Sequence, residues 1–196
     1  MQKILDLSKK SVIKIKKKDR SSSGSLCNIH LPDNKSLPVL IANNHMLNEN
    51  DITIGEKIDF SLDNDKVCYQ ILIDNNRKVY TSRQYDVTFI EIKESDGLDI
   101  SSFLETDPNI FSYDESRLNN NQGILLSYPQ GEELQFSNGI IKKLTEDGYH
   151  IIHFCNTTCG SAGGPIIDSK NNHIIAVHQG TNIYKNYNIG IFLKKP

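Results

Sequence analysis

A glycine-rich segment in the last quarter of the chain has the residue types of a tight, anion-binding turn. Gly160, Gly163 and Gly164 lie close together, and Pro165 follows them. Glycine allows a positive φ and the close approach of another chain, and successive backbone N–H groups in such a turn form a concavity that binds anions. The segment therefore predicts a sharply bent backbone that could stabilise negative charge on a reacting oxygen.

Two side chains that could accept or orient a proton stand earlier in the sequence. His45 follows an apolar segment, residues 39–42, and Asp86 directly precedes an alternating one, residues 87–92. The imidazole of histidine titrates near neutral pH, which suits a general base, and a carboxylate bound to the ring fixes its tautomer. Taken alone, either residue is more typical of a surface turn than of a catalytic site.

In chain order, these three sites resemble the catalytic triad of chymotrypsin-like (trypsin-like, PA clan) serine proteases. Residues 41–45, Ile-Ala-Asn-Asn-His, are similar to the family's Thr-Ala-Ala-His pattern, and Asp86 begins a segment similar to its Asp-Ile-Ala-Leu. Residues 160–165, Gly-Ser-Ala-Gly-Gly-Pro, match the nucleophile turn Gly-Xaa-Ser-Gly-Gly-Pro, except that Ala162 stands where the family has serine. The match extends from residue 39 to residue 165.

The resemblance implies a role for each matched residue. His45 would take the proton of the nucleophile and return it to the leaving amine. Asp86 would orient the imidazole and stabilise its protonated form. The backbone N–H groups of Gly160 and Ala162 would form the oxyanion hole, which stabilises charge that develops only in the transition state.

The absence of serine at the nucleophile position raises the question of whether the chain is an enzyme or a binding module. Ser161 is not expected to replace it, because its side chain would point away from His45. Cys159 stands three positions before Ala162 and is expected to be a buried or pocket-wall thiol. The otherwise intact motif predicts a serine endopeptidase in an inactive form. The alternative is a natural pseudoprotease that binds peptide or protein without cutting it, and the third reading is an unrelated β-rich interaction domain.

Four further residues bear on which substrate would be cut. Asn156 stands where trypsin-type enzymes have the aspartate of the pocket floor, which disfavours Lys or Arg before the cut. Residues 174–180, which end at Gly180, resemble the specificity strand of glutamyl endopeptidases and picornavirus main proteases. In those groups the histidine, here His178, recognises Glu or Gln, and Thr157 matches a second pocket residue of the glutamyl group. We therefore predict a pocket for Glu or Gln.

The protonation of His178 sets a further expectation. If the substrate group is a carboxylate, a protonated His178 should favour its binding, so cleavage after Glu relative to Gln should rise as the pH falls toward about 6.5. The alternative is that His178 is an ordinary core histidine, in which case it would not affect selectivity.

Short β-branched or alternating segments, separated by Asn, Asp and Gly, predict an all-β protein. The resemblance implies that this all-β fold consists of two antiparallel β-barrels of the chymotrypsin type. An N-terminal barrel at residues 1–105 would carry His45 and Asp86, and a C-terminal barrel at residues 106–196 would carry the nucleophile turn and the pocket. Helix signals are weak, with one or two turns expected at residues 2–10, and residues 21–25, Ser-Ser-Ser-Gly-Ser, predict a flexible turn.

Composition limits the class of protein. The chain has 196 residues, of which 37% are hydrophobic and 23% charged, with a formal net charge of -2. These values exclude intrinsic disorder, collagen and coiled coil, and no apolar stretch is long enough to span a bilayer. The N-terminus lacks the apolar core of a signal peptide, so we expect a cytoplasmic protein whose 4 cysteines are free thiols.

The sequence predicts neither a cofactor nor a metal site. Cys27 with His30, and Cys155 with Cys159, have spacings that match no closed zinc site. The basic run at residues 14–20 is interpreted as a solvated edge beside a strand, because the net charge is slightly negative.

The expected partners are a protein or peptide substrate and a regulatory protein, with no nucleic acid and no membrane. In the family, an Asp just before the nucleophile pairs with a new N-terminus on activation. Ser161 occupies that position here. Activation of that kind is therefore not expected, and any regulation is assigned to a partner or to another part of a larger system.

Overall fold

The computed structural model describes residues 2–17, 20–33 and 35–194. Its long helix, α1 (Gln2–Ser11), precedes the strands and makes about three turns, which is more than the sequence suggested. Short 3-10 helices occupy Glu94–Asp96, Ile100–Ser102, Ile110–Ser112, Glu115–Leu118 and Pro129–Gly131. Within the described ranges, no helix is long and apolar enough to cross a membrane.

The first part of the chain forms an eight-stranded sheet that curls into a half-barrel. Its strands are β1 (Val12–Lys17), β2 (Arg20–His30), β3 (Ser36–Ala42), β4 (Lys57–Leu62), β5 (Val67–Leu72), β6 (Val79–Ser82), β7 (Val87–Glu91) and β8 (Leu104–Glu105). They pair in the order β5-β4-β1-β2-β3-β7-β6. These pairings are antiparallel, and β8 adds to β2 in parallel.

The second part of the chain closes into a six-stranded antiparallel barrel with the order β10-β11-β14-β13-β12-β9. Its strands are β9 (Asn121–Ser127), β10 (Gln135–Leu144), β11 (His150–His153), β12 (Pro165–Asp168), β13 (Ile174–Asn182) and β14 (Tyr187–Phe192). The prediction of an all-β protein of the chymotrypsin type is confirmed. The division into residues 1–105 and 106–196 stays a prediction.

The apolar core joins the two sheets. Alternate residues of a strand face opposite sides of its sheet, and β2 and β3 are buried on both sides. Leu26 and Leu40 face the core of the first sheet, whereas Cys27 and Val39 belong to a cluster that continues into the closed barrel. Because one strand pair serves both cores, the two sheets pack as one body around the site between them.

The segment at residues 21–25 is not a flexible turn, so this expectation was wrong. It lies in the middle of β2, paired with β1 on one side and β3 on the other. Gly24 has to be small here, because a Cβ would come 2.8 Å from the carbonyl oxygen of Ile41. Ser22 and Ser23 are buried, and their hydroxyl groups find hydrogen-bond partners in the closed barrel. Tertiary contacts therefore overrode a local sequence signal for a turn.

The interpretation of the basic run as a solvated edge was also wrong for Lys14, while Lys18 lies outside the described residues. Lys14 is 2% exposed because β1 lies in the middle of the sheet. Its ammonium group pairs with Asp65 at 2.8 Å and lies 4.9 Å from the centre of the Tyr128 ring. The charge is thus compensated by a carboxylate and by an aromatic face.

The pair of Lys14 and Asp65 should contribute to stability in a pH-dependent way. Burial raises the pKa of Asp65, but hydrogen bonds from Lys14, Ser61 and Lys16 outweigh this effect and hold the pKa well below its ordinary value. We expect Asp65→Asn to lower the free energy of unfolding at pH 7 by about 1–2 kcal/mol, a discounted value because Asp65 is partly exposed.

Urea unfolding as a function of pH checks this expectation. The stabilisation should be complete above the ordinary Asp pKa of about 3.9 and decline as the pH falls below it. The control is Asp33→Asn, which breaks an exposed pair with Lys35. Equal losses in the two variants, or a loss that does not depend on pH, would contradict the assignment.

Candidate active site

His45 and Asp86 form a hydrogen-bonded pair at one end of the first sheet. Nδ1 of His45 lies 2.8 Å from Oδ2 and 3.1 Å from Oδ1 of Asp86. The pairing of β3 with β7 brings them together, since Ala42 faces Thr88 at the ends of these strands. The carboxylate therefore holds the proton on Nδ1, and Nε2 is left free to accept a proton from another group.

The backbone around this pair is fixed by contacts that the sequence did not suggest. The N–H of His45 donates to Oδ1 of Asp86 at 2.9 Å, and the side chain of Asn43 donates to the backbone carbonyl of Asp86 at 3.0 Å. Asp86 has a φ of 51°, a left-handed conformation that Asp tolerates better than bulkier residues. Asn43 thus positions Asp86, which positions the ring of His45.

The glycine-rich segment forms the bent turn that its composition predicts. Gly160 and Gly163 have φ values of 87° and 84°, which favour glycine. A Cβ at Gly163 would also overlap the backbone carbonyl of Ser23. Both glycines are therefore required by conformation, and Gly163 also by the close approach of β2.

The turn presents two backbone N–H groups that no protein acceptor occupies. In the described part of the chain, the N–H groups of Gly160 and Ala162 donate to no other group, whereas those of Ser161, Gly163 and Gly164 do. Two free N–H groups, separated by one residue on the same turn, can together stabilise an oxyanion.

The structure separates the three residues considered for the nucleophile position. Ser161 is fully buried, and its hydroxyl lies 3.3 Å from that of Ser127 in β9, which agrees with its rejection as a nucleophile. Cys159 is exposed, so the expectation of a buried thiol was wrong, while its place in a pocket wall stays a prediction. Its backbone carbonyl accepts from the N–H of Gln130. Ala162 offers only a methyl group.

His178 connects the nucleophile turn with the catalytic pair. Its backbone carbonyl accepts from the N–H of Gly163, and its own N–H donates to the carbonyl of Gly164, both at 2.8 Å. The charge of His45 lowers the pKa of the His178 ring, and the backbone N–H of Ser23 in β2 donates to the carbonyl of Ala162 in the turn at 2.8 Å. Residues from the half-barrel and the closed barrel therefore meet at one place.

His178 is paired with a second histidine that the sequence did not single out. Its Nδ1 lies 3.1 Å from Nε2 of His153 in β11, and the N–H of Cys155 donates to Nδ1 of His153 at 3.4 Å. Neutral His153 then carries its proton on Nε2 and donates to His178. This assigns the proton of neutral His178 to Nε2, and the backbone of Ile189, whose hydrogen bond raises the pKa of the ring, is an acceptor for it within the chain.

Burial keeps both rings neutral. Burial lowers the pKa of His178 to about 4, a hydrogen bond with the backbone of Ile189 acts in the opposite direction, and the charge of His45 lowers it further. Burial and the neighbouring His178 lower the pKa of His153 to about 3. The lowered pKa argues against a charged His178 near pH 6.5, because a ring that is 2% exposed is poorly hydrated when charged.

The other pocket residues differ in their surroundings. Thr157 donates to Oδ1 of Asn188 at 2.9 Å, and Thr181 donates to the same oxygen at 2.7 Å. Asn188 and Thr181 were missed because they lie on β14 and at the end of β13, far from Thr157 in sequence. Gly180 lies in β13, two residues after His178, while the side chain of Asn156 is exposed. The role of each in a pocket stays a prediction.

The structure also shows what surrounds the thiols considered as metal ligands. No group of three or more His, Cys, Asp or Glu residues within the described ranges could hold a metal ion. Burial, followed by the charge of Glu105, raises the pKa of the Cys27 thiol well above its ordinary value. A thiol that stays protonated is a poor metal ligand, because the thiolate is the form that binds.

Comparisons with known proteins give the family and the fold. The profile of the trypsin-like peptidase domain matches residues 29–177. The serine endoprotease from Yersinia pestis has a similar structure, with a TM-score of 0.69 and 11% identity over 98% of this chain. The chain spans 62% of the length of that protein. No curated protein sequence matches the chain.

The Rv3671c protease from M. tuberculosis is also similar, with a TM-score of 0.63 and 16% identity in two structures of its inactive form. One of them is a serine-to-alanine mutant; it covers 96% of this chain and 84% of its own chain. The other covers 96% and 86%. At these identities, the likeness shows the fold.

The two buried histidines should make the protein less stable in acid. Each binds a proton more readily in the unfolded chain, whose ordinary histidine pKa is about 6.5, so stability is lost as the pH falls below that value. We expect a loss of about 2 kcal/mol for each ring by about pH 4.5. Urea unfolding between pH 7 and pH 4.5 measures it, and the profile of His153→Gln should be flatter. An identical slope in this variant would contradict the assignment.

Proposed function

This chain belongs to the trypsin-like peptidase family, and we propose that its site is that of a serine endopeptidase held in an inactive form by Ala162. The observation that carries the proposal is the presence of two parts of a triad-type site in one chain. These are the His45–Asp86 pair, with contacts of 2.8 and 3.1 Å, and the free N–H groups of Gly160 and Ala162. Both parts are intact, and the site lacks only a hydroxyl oxygen at position 162.

The chemistry follows from these positions when a serine occupies position 162. Its hydroxyl attacks the carbonyl carbon of the scissile peptide bond while Nε2 of His45 takes the hydroxyl proton, and Asp86 stabilises the imidazolium. The N–H groups of Gly160 and residue 162 bind the oxyanion. The imidazolium then gives its proton to the leaving amine, and water hydrolyses the acyl-enzyme by the same two steps.

The chain with Ala162 has no atom that can form this bond. A methyl group carries no lone pair, and loss of the nucleophile alone costs on the order of 10⁶ in kcat in the subtilisin precedent. We therefore expect the protein as it stands to bind substrates without measurable turnover.

The surroundings of His178 support a preference for Gln, followed by Glu, before the cut. A neutral ring with its proton on Nε2 can donate to the amide oxygen of Gln or to a carboxylate. It supplies no positive charge to offset the burial of a carboxylate. Asn156 supplies no negative charge for Lys or Arg. An apolar residue would offer this donor no acceptor.

Restoring the serine tests the enzyme proposal and the preference together. Ala162→Ser should cleave peptides that differ only in the residue before the cut in the order Gln, Glu, then Lys. The ratio of Glu to Gln cleavage should stay nearly constant from about pH 8 to about pH 6, since His178 remains neutral.

The control is the double variant Ala162→Ser with His45→Ala, in which cleavage should disappear. An inactive Ala162→Ser protein, given a diverse peptide library, would contradict the endopeptidase proposal. Dominant cleavage after Lys or Arg would contradict the pocket assignment alone. A regulatory protein partner stays a prediction.

A second function, a peptide-binding module, is favoured by the free N–H groups beside the Ala162 methyl. One oxygen of a peptide C-terminal carboxylate can accept from Gly160 and Ala162, and a protonated His45 can donate to the other. Hydrogen bonds to charged groups contribute about 1.5–3 kcal/mol, so a free carboxylate should bind at least about tenfold more tightly than the same peptide with a C-terminal amide.

Calorimetric titration of the unaltered protein with such a pair of peptides, each ending in Gln, measures the difference. His45→Ala should reduce the preference for the carboxylate. Equal affinities, or no binding of either peptide, would contradict this second function and leave the endopeptidase proposal intact.

A further inference from the structure

Ser23 of β2 is hydrogen-bonded to two segments of the closed-barrel half. Its hydroxyl donates to the carbonyl of Gly160 at 2.8 Å and accepts from the N–H of Tyr128 at 2.8 Å. Its backbone N–H donates to the carbonyl of Ala162, also at 2.8 Å. Ser23 is 0% exposed. A buried hydroxyl that donates and accepts at the same time has a fixed orientation, and so do its partners.

These contacts hold the peptide units on both sides of the Ala162 N–H. The C=O and N–H of one planar peptide unit point in opposite directions. Ser23 anchors the carbonyl of Gly160 and the carbonyl of Ala162, so the unit that carries the Ala162 N–H lies between two fixed units. Ser22 adds a hydrogen bond from its hydroxyl to the carbonyl of Ala162 at 2.7 Å.

The Gly160 N–H is oriented through Tyr128 in a similar way. Its peptide unit contains the carbonyl of Cys159, which accepts from the N–H of Gln130 at 2.5 Å. Gln130 lies two residues after Tyr128, whose N–H binds Ser23. The two chain segments are in close contact, because a Cβ at Gly160 would come 2.6 Å from the carbonyl oxygen of Tyr128. One hydroxyl therefore ties the half-barrel to both segments that aim the oxyanion donors.

We propose that Ser23 is a positioning residue for the oxyanion hole, so that the hole exists only while β2 is seated against the glycine turn. The proposal deepens the proposed function and rests on it, since an oxyanion hole matters to a peptidase. Under this proposal, activity requires the contact between the two halves of the molecule as well as the catalytic side chains. The chain offers a matched control in Ser25, another fully buried serine of β2, whose hydroxyl has no hydrogen-bond partner among the described residues.

The first test uses the unaltered Ala162 protein and needs no enzymatic activity. In ¹H–¹⁵N spectra of Ser23→Ala, the Gly160 and Ala162 amides should shift and broaden, because their peptide units gain alternative orientations. Gly148, in the turn between β10 and β11, serves as an internal reference and should not change. The same signals should stay in place in Ser25→Ala. Equal changes in the two serine variants would overturn the proposal.

The second test separates positioning from folding in the Ala162→Ser background. Ser23→Ala should lower kcat by about tenfold or more with little change in KM, because oxyanion stabilisation acts in the transition state and its complete loss costs about 10²–10³. Ser25→Ala should keep the parent kcat. A lower melting temperature with unchanged kcat per active site would show a purely structural role and overturn the proposal. If Ala162→Ser is itself inactive, the proposed function fails, and the amide spectra decide this inference alone.

Discussion

The contact between β2 and the glycine turn is the constraint on which the site depends. The base and its carboxylate partner come from the half-barrel, while the turn belongs to the closed-barrel half, so neither half holds a complete site. The backbone carbonyl of Ser23 leaves no room for a side chain at Gly163, and the Ser23 hydroxyl fixes Gly160. Small residues on both sides allow this approach. Larger side chains at these positions would separate the halves by the width of a side chain.

His45 and His178 lie in different surroundings, which suit the two rings to different roles. His45 is half exposed and paired with a carboxylate, which stabilises the imidazolium that forms when the ring takes a proton. His178 is buried against another histidine, and that environment keeps it neutral. The first ring can therefore exchange a proton during a reaction, while the second can act as a fixed hydrogen-bond donor.

The geometry of the site does not depend on a hydroxyl group at position 162. The oxyanion N–H groups are held by backbone carbonyl contacts of Cys159, Gly160 and Ala162, and none of these uses the missing oxygen. The orientation of His45 depends on Asp86 and the backbone, which also do without it. The site therefore keeps a geometry suited to binding with a methyl group at position 162, which is why peptide binding is the second function.

The sequence by itself determined the parts of the site that follow from local backbone needs. A Gly-Xaa-Ala-Gly-Gly-Pro segment needs positive φ. The apolar segments at residues 39–42 and 87–92 indicate where His45, after the first, and Asp86, before the second, emerge. The all-β architecture follows from the same alternation. These signals are local, so they are readable without knowing what packs against them.

Only the tertiary structure decided what the buried polar residues do. Ser21 to Ser25 has the composition of a turn and is a buried strand, because the turn-forming residues happen to be small enough to pass between two sheets. Lys14 can be buried because Asp65 and the ring of Tyr128, both from distant segments of the chain, compensate its charge. The neutrality of His178 likewise depends on its burial and on the charge of His45, which belongs to a distant segment of the chain. A pKa and a hydrogen-bond partner are properties of surroundings, and those surroundings are assembled by folding.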